Sequence, residues 1–226
     1  MMKSKIDLSF YDFVGVLVPG IIFLYCIHLI LARVYNLALL DFAKIGDSVV
    51  FIVLAYVTTQ VVLHPIGNFF EKWYWRFWKG MPTSWLTKSS AKGFRGRRQL
   101  FRHNHQEKRE RIIAKITATF KRTNNDDYGM TVYRYLEQKN LSKRADIFNA
   151  NHSLFRGLNA AFFLLSIISC FFQEWLIASG IAILFVLSFY RMDKFAIRYA
   201  EEIFDCFHVH NLEPQEAPNL IPTSKQ

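Results

Sequence analysis

Cysteine is scarce in this chain, with Cys26, Cys170 and Cys206 far apart and odd in number. Such a set, without a Cys or His partner at a metal-ligand spacing, argues against a disulfide framework and a structural zinc site. Cys206, His208 and His210 alternate at the end of a predicted helix, which is too weak a pattern for a metal centre. Glycine is scarce as well, at 10 residues, and there is no glycine-rich phosphate loop. Nor is there a serine-centred elbow, or a pair of carboxylates with a matching base. No catalytic residue, cofactor or metal is therefore assigned, and an enzyme is not expected. Acid is lacking in the middle of the chain. Positions 71–153 hold 19 Lys and Arg against 7 Asp and Glu, a net of +12 in a chain whose total is +10. One basic loop between apolar blocks is the charge pattern of an integral membrane protein.

Apolar residues are abundant, at 52%, with 22 phenylalanines. The run from Phe13 to Ala32 has about 20 residues, the length that crosses a hydrocarbon core of roughly 30 Å. It follows Lys3 and Lys5, yet it is long for a signal peptide and no small-x-small site precedes Arg33, so an uncleaved span is expected. A second span runs from about Val49 to Phe70. The third and fourth, "LNAAFFLLSIISCFF" and "WLIASGIAILFVLSFY", are separated only by Gln173 and Glu174, which predicts a tight helical hairpin. A single bent helix would instead place Glu174 in an apolar middle. Each of these two runs covers only about 24 Å as a helix. They reach the usual minimum if the third starts at Phe155, with Arg156 snorkelling, and the fourth ends at Arg191. Short spans favour oligomerisation or local bilayer thinning.

Cations near the span ends set the orientation. Thirteen lie on the side of the N-terminus, the central loop and the segment after span four; only Arg33 and Lys44 lie on the other. Both termini and the loop are therefore expected in the cytoplasm. The expected organisation is all-α. Spans one and two occupy 1–70, a basic helical cytoplasmic region 71–153, the hairpin 154–191, an amphipathic cytoplasmic helix 192–210, and a disordered tail 211–226. Trp73, Trp75 and Trp78, with Tyr74 and Phe77, alternate with Lys72, Arg76 and Lys79, and are expected to form an interfacial belt where span two leaves the membrane.

Within the loop, helical character is expected after Gly96, and Ile112, Ile113, Ile116 and Phe120 make one apolar stripe. "NNDDYG" is a break, and "MTVYRYLEQKN" reads as a second short helix ending near Asn140. After span four, Phe195, Tyr199, Ile203 and Phe207 share a face. The "HNH" at His103–His105 is not a nuclease motif, because positions i and i+2 do not share a helix face. The basic patch Arg95, Arg97, Arg98, Arg102, Lys108, Arg109 and Arg111 suits anionic lipid. A nucleic acid or nucleotide is the alternative, with Phe94 and Phe101 available to stack.

Gln60, His64 and Asn68 stand at i, i+4 and i+8 in span two, with Glu71 near the same line. Polar side chains in a span face a bundle interior or a wet cavity, since lipid cannot hydrogen-bond them. They read either as interhelical glue or as a polar lining that admits water or ions. Pro65, and Pro19 with Gly20 in span one, permit helix kinks.

"FYDFVGVLVPG", carried by Tyr11, Asp12, Phe13, Gly15, Pro19 and Gly20, resembles the opening of a diffuse group of small bacterial membrane proteins. "HPIGNFFEK", the central basic loop and "RYAEEIF" after the hairpin look like the same group. Its members occur in anti-phage defence cassettes, retron- and cyclic-nucleotide-linked systems among them, as multi-pass inner-membrane effectors. The resemblance implies an effector that homo-oligomerises, works with a cytoplasmic partner protein of its cassette, and permeabilises or depolarises the bacterial inner membrane. The second expectation is a membrane anchor or sensor whose basic helices hold a protein or nucleic acid.

Overall fold

A computed structural model describes residues 12–35, 45–78, 80–86, 91–93, 96–98, 100, 106–120 and 128–210. Among them four helical segments are long and apolar enough to cross a membrane: Phe13–Tyr35, Ser48–Leu86, Lys143–Phe171 and Trp175–His210. The four expected spans thus appear as four helical segments. The first is a π-helical turn, Asp12–Leu17, leading into α1 (Val18–Tyr35). The second joins α2 (Ile45–Thr58), a π-helical turn at Thr59–Leu63 and α3 (His64–Phe77). A 3-10 turn at Pro82–Leu86 follows, then two three-residue strands, β1 (Ala91–Gly93) and β2 (Gly96–Arg98), paired antiparallel. Two shorter helices, α4 (Gln106–Phe120) and α5 (Tyr128–Gln138), precede the long α6 (Lys143–Phe171) and α7 (Trp175–His210). Of the stretch expected to be helical after Gly96, Gln106–Phe120 is a helix, whereas Gly96–Arg98 is a strand and Gly96 pairs with Gly93.

Both π-helical turns lie just ahead of a proline. Pro65 has no N–H to give the carbonyl four residues back, and its ring would crowd that carbonyl. A widened turn relieves the conflict, and the His64 N–H bonds to the Thr59 carbonyl five residues back. Pro19 stands in the same relation to Asp12–Leu17. Of the positions expected to permit kinks, Pro19 and Pro65 each follow such a wide turn, while Gly20 lies within α1. Gly20 has another role: a Cβ there would overlap the Ala55 carbonyl and the Thr59 hydroxyl, so it sets how closely α1 approaches α2.

The hairpin forms as its turn chemistry demands. Gln173 takes a left-handed conformation, φ 62°, and the Glu174 N–H returns to the Ser169 carbonyl at 2.9 Å. Glu174 is also paired with Arg33 at 3.1 Å, which ties α1 to the hairpin turn. Helices α6 and α7 are far longer than their apolar runs. At 1.5 Å per residue, the 29 and 36 residues extend about 43 and 54 Å. Both therefore continue past the apolar layer towards the loop, and the amphipathic segment 192–210 belongs to the same helix as span four.

Two cores result. In the apolar layer, Phe23, Ile30, Leu63, Ala160, Ala161 and Leu165 pack where α1 and the second segment meet α6. At the loop end, Trp75, Trp78, Trp85, Ile112, Ile116, Val132, Leu136, Ile203, Phe204 and Phe207 are buried together. The stripe of α4 and the face of α5 thus close on the far half of α7. Tyr199 lies only partly buried at its edge, and Phe195, also partly buried, is stacked on Phe155 at 5.5 Å.

Candidate functional site: a buried ion pair and an exposed polar row

The second helical segment carries two rows at four-residue spacing. Phe51, Ala55, Thr59, Leu63, Gly67, Glu71 and Trp75 are all buried. The neighbouring row is Gln60, His64, Asn68, Lys72 and Arg76, of which only His64 is half-buried and the rest are exposed.

The buried row delivers Glu71, 6% exposed, to α6. Its Oε2 accepts from Arg156 at 3.0 Å and its Oε1 from the Trp75 indole at 3.3 Å. His152 Nε2 lies 3.5 Å from Oε1, and Arg156 also donates to the Ser153 hydroxyl at 3.2 Å. Glycines bring the helices this close. A Cβ on Gly67 would stand 2.8 Å from the Arg156 carbonyl, and one on Gly15 would stand 3.2 Å from Ser153 Cβ. Three segments thus meet at one buried charge pair. Arg156 does not snorkel, as its place near the end of an apolar run suggested; it is held by Glu71. Removing one member of such a pair leaves an uncompensated buried charge. The pair fixes the register of α3 on α6, with the buried His152 beside it.

The three polar residues expected to act together are divided. His64 Nε2 donates to the Gly15 carbonyl at 3.3 Å, the carbonyl that Pro19, lacking an N–H, cannot engage. That bond joins the second segment to the first, the kind of contact expected of interhelical glue. Gln60 and Asn68 stand on the outside of the single chain, beside Val61 and Phe69, which are 68% and 66% exposed. The belt divides too. Trp73 is 67% exposed with Phe77 beside it, whereas Trp75 is 3% exposed and Trp78 is buried in the loop-end core. Trp75 and Trp78 are therefore core residues rather than interfacial ones, because both fall on the face that α3 turns inward.

Of the basic patch, Lys108 pairs with Asp205 at 2.7 Å, Arg109 donates to the Leu86 carbonyl at 2.7 Å, and Arg111 pairs with Glu107 at 2.6 Å. Two of these cations staple α4 to α7 and to the 3-10 turn. Arg97 and Arg98 are on β2, while Arg95, Arg102 and the His103–His105 motif lie outside the described residues. The start of α6 is tied to α5 through Asp146, which accepts from Tyr133 at 2.8 Å and Ser142 at 2.9 Å. Burial, together with the Asp146 carboxylate, holds the Tyr133 hydroxyl above the ordinary tyrosine range.

A second polar contact, absent from the sequence reading, joins α6 and α7. The buried Asn159 accepts from the Ser188 hydroxyl and donates to Met192 Sδ at 3.3 Å. Its signal was an asparagine inside "LNAAFF", the same kind of signal that marked Gln60. No protein-family model, no curated protein and no solved structure matches the chain. The site must be read from its own geometry.

Proposed function

We propose that this is a multi-pass protein of the bacterial inner membrane, loop end and both termini cytoplasmic, that acts as a defence effector by assembling and permeabilising the membrane. The observation that carries the reading is the placement of Gln60 and Asn68. They are exposed beside Val57, Val61 and Phe69, which are exposed too. Lipid offers no hydrogen-bond partner there, so a second copy satisfies them, and a ring of copies would line a polar path between chains. The packed interior of a single chain, filled by Leu63, Ala160, Ala161 and Leu165, gives no such path. The membrane assignment is supported by the four apolar helical segments and the orientation by the cation asymmetry. The defence role is supported by the likeness of "FYDFVGVLVPG" and "HPIGNFFEK" to effectors of that kind.

The test is induction in a bacterium with a voltage-sensitive dye, comparing wild type with Gln60→Leu/Asn68→Leu and, separately, His64→Leu. Wild type depolarises the membrane. The double variant inserts but does not depolarise, and His64→Leu weakens folding rather than conduction. Full depolarisation by an inserted double variant overturns the lining.

The second reading is an anchor for a cytoplasmic protein. It is favoured by a groove of about 670 Å³ between the loop-side halves of α6 and α7, where Leu141, Phe148 and Val209 are flanked by Glu201 and Asp205. In that reading a steady potential accompanies co-purification of a partner that Phe148→Glu releases.

A further inference from the structure

We propose that the cleft at the loop end of α3 binds the phosphate headgroup of an anionic phospholipid. The inference rests on the membrane reading above but not on conduction. The cleft has a volume of about 570 Å³ and is lined by Asn68, Lys72, Arg76 and Arg156, with Trp75 and Met81 among its apolar walls. Its one carboxylate, Glu71, is already engaged by Arg156 and Trp75. Lys72 and Arg76, one turn apart, are both exposed, and neither has an ion-pair partner among the described residues. The cleft therefore carries uncompensated positive charge on its exposed, flexible cations, which suits a phosphate oxyanion.

The lipid is selected by what lies next to the cleft. Phe69, Trp73 and Phe77 form a second column, each one position after Asn68, Lys72 and Arg76, and are 66%, 67% and 52% exposed. An aromatic column beside a cationic column, at the level where the apolar segment gives way to charge, fits an amphiphile. The acyl chains and glycerol lie along the rings, and the phosphate lies against the cations. Free phosphate would use the cations and leave the rings idle. The exposed polar row thus changes character along its length, from uncharged amides in the apolar layer to a headgroup seat at its edge.

Full-length protein is first tested for resistance to alkaline carbonate extraction from membranes. It is then purified in detergent and titrated with phosphatidylglycerol, phosphatidylcholine or inorganic phosphate, with bound lipid counted by native mass spectrometry and protection read by thermal unfolding. Phosphatidylglycerol is retained at concentrations where phosphatidylcholine is not. Lys72→Gln/Arg76→Gln raises the required concentration roughly thirtyfold, since each cation near an anionic headgroup is worth about fivefold. Lys139→Gln/Lys143→Gln, which removes two exposed cations elsewhere, leaves it unchanged. Equal retention of both lipids, an equal loss in the two double variants, or full protection by inorganic phosphate overturns the lipid site. Extraction by carbonate overturns the membrane reading along with it, so the two failures are distinguishable.

Discussion

The two cores of this protein are built from different residues and, in the proposed membrane setting, by different physics. The loop-end core buries Trp75, Trp78, Trp85, Phe204 and Phe207 among aliphatics, with Phe120 stacked on Phe207 at 5.8 Å. Large apolar groups leaving water drive that assembly. The core of the apolar layer has Ala160 and Ala161 at its centre, and its helices touch at Gly20, Gly67 and Gly157. In a bilayer, lipid is as apolar as leucine, so helices associate through close backbone approach and a few polar contacts. Phenylalanines such as Phe70 and Phe163, whose rings meet at 4.9 Å, flank that layer. One pair of helices, α6 and α7, takes part in both cores. The fold works because the same chain obeys packing by small residues at one end and burial of large ones at the other.

That contrast is open to attack, most severely at Gly20. Gly20→Val puts side-chain atoms into the Ala55 carbonyl, which is backbone and cannot move aside. Helix α1 should detach from α2, at a cost above the 1–3 kcal/mol typical of overpacking. Cysteine cross-linking between α1 and α2 should fall to background, while the loop-end core stays intact by tryptophan fluorescence. Phe204→Ala is the converse. Deleting a fully buried ring should cost about 3–5 kcal/mol, seen as a lower urea midpoint for the loop-end fluorescence transition with the α1–α2 cross-link unchanged.

Glu71 joins the two regimes. Glu71→Leu leaves Arg156 buried without its carboxylate and should cost about 3 kcal/mol, while Glu71→Leu/Arg156→Met should recover most of it. Thermal unfolding of the two variants in detergent measures the difference; equal loss in both would mean that the pair contributes only packing. Asn159→Ala is the mildest change. It removes the contacts with Ser188 and Met192, leaving the Ser188 hydroxyl on the Phe185 carbonyl, and should cost about 0.6 kcal/mol, the scale of hydrogen bonds between membrane helices. A loss several times larger would assign α6–α7 cohesion to polar contacts rather than to fit.

Much of this was legible from residue order. Four apolar runs became four helical segments, and Gln173 and Glu174 became the turn of a hairpin, because run length and turn chemistry are local properties. The stripe of Ile112, Ile113, Ile116 and Phe120 and the short helix ending near Asn140 were legible for the same reason, though not that Val132 and Leu136 would close on that stripe. The fates of Trp75 and Trp78 were not. Composition places tryptophan beside lysine at an interface, but helical phase alone decides which rings turn inward, and the π-helical turn at Thr59–Leu63 resets that phase. Nor could spacing show that His64 would bond to Gly15 while Gln60 and Asn68 face out. The strands Ala91–Gly93 and Gly96–Arg98 were missed because the surrounding cations matched an exposed helix equally well.

The sequence by itself determined the number of apolar helical segments, the side on which charge gathers and the prolines that demand wide turns. These follow from hydrophobicity, charge and the missing proline N–H, each a property of a short segment. Only the tertiary structure decided that Glu71 meets Arg156, 85 residues away, and that one polar row is left exposed. It also decided that this row ends in a cationic cleft. Such outcomes depend on which faces of separate helices are used up in packing, and no stretch of sequence contains that information until the helices have met.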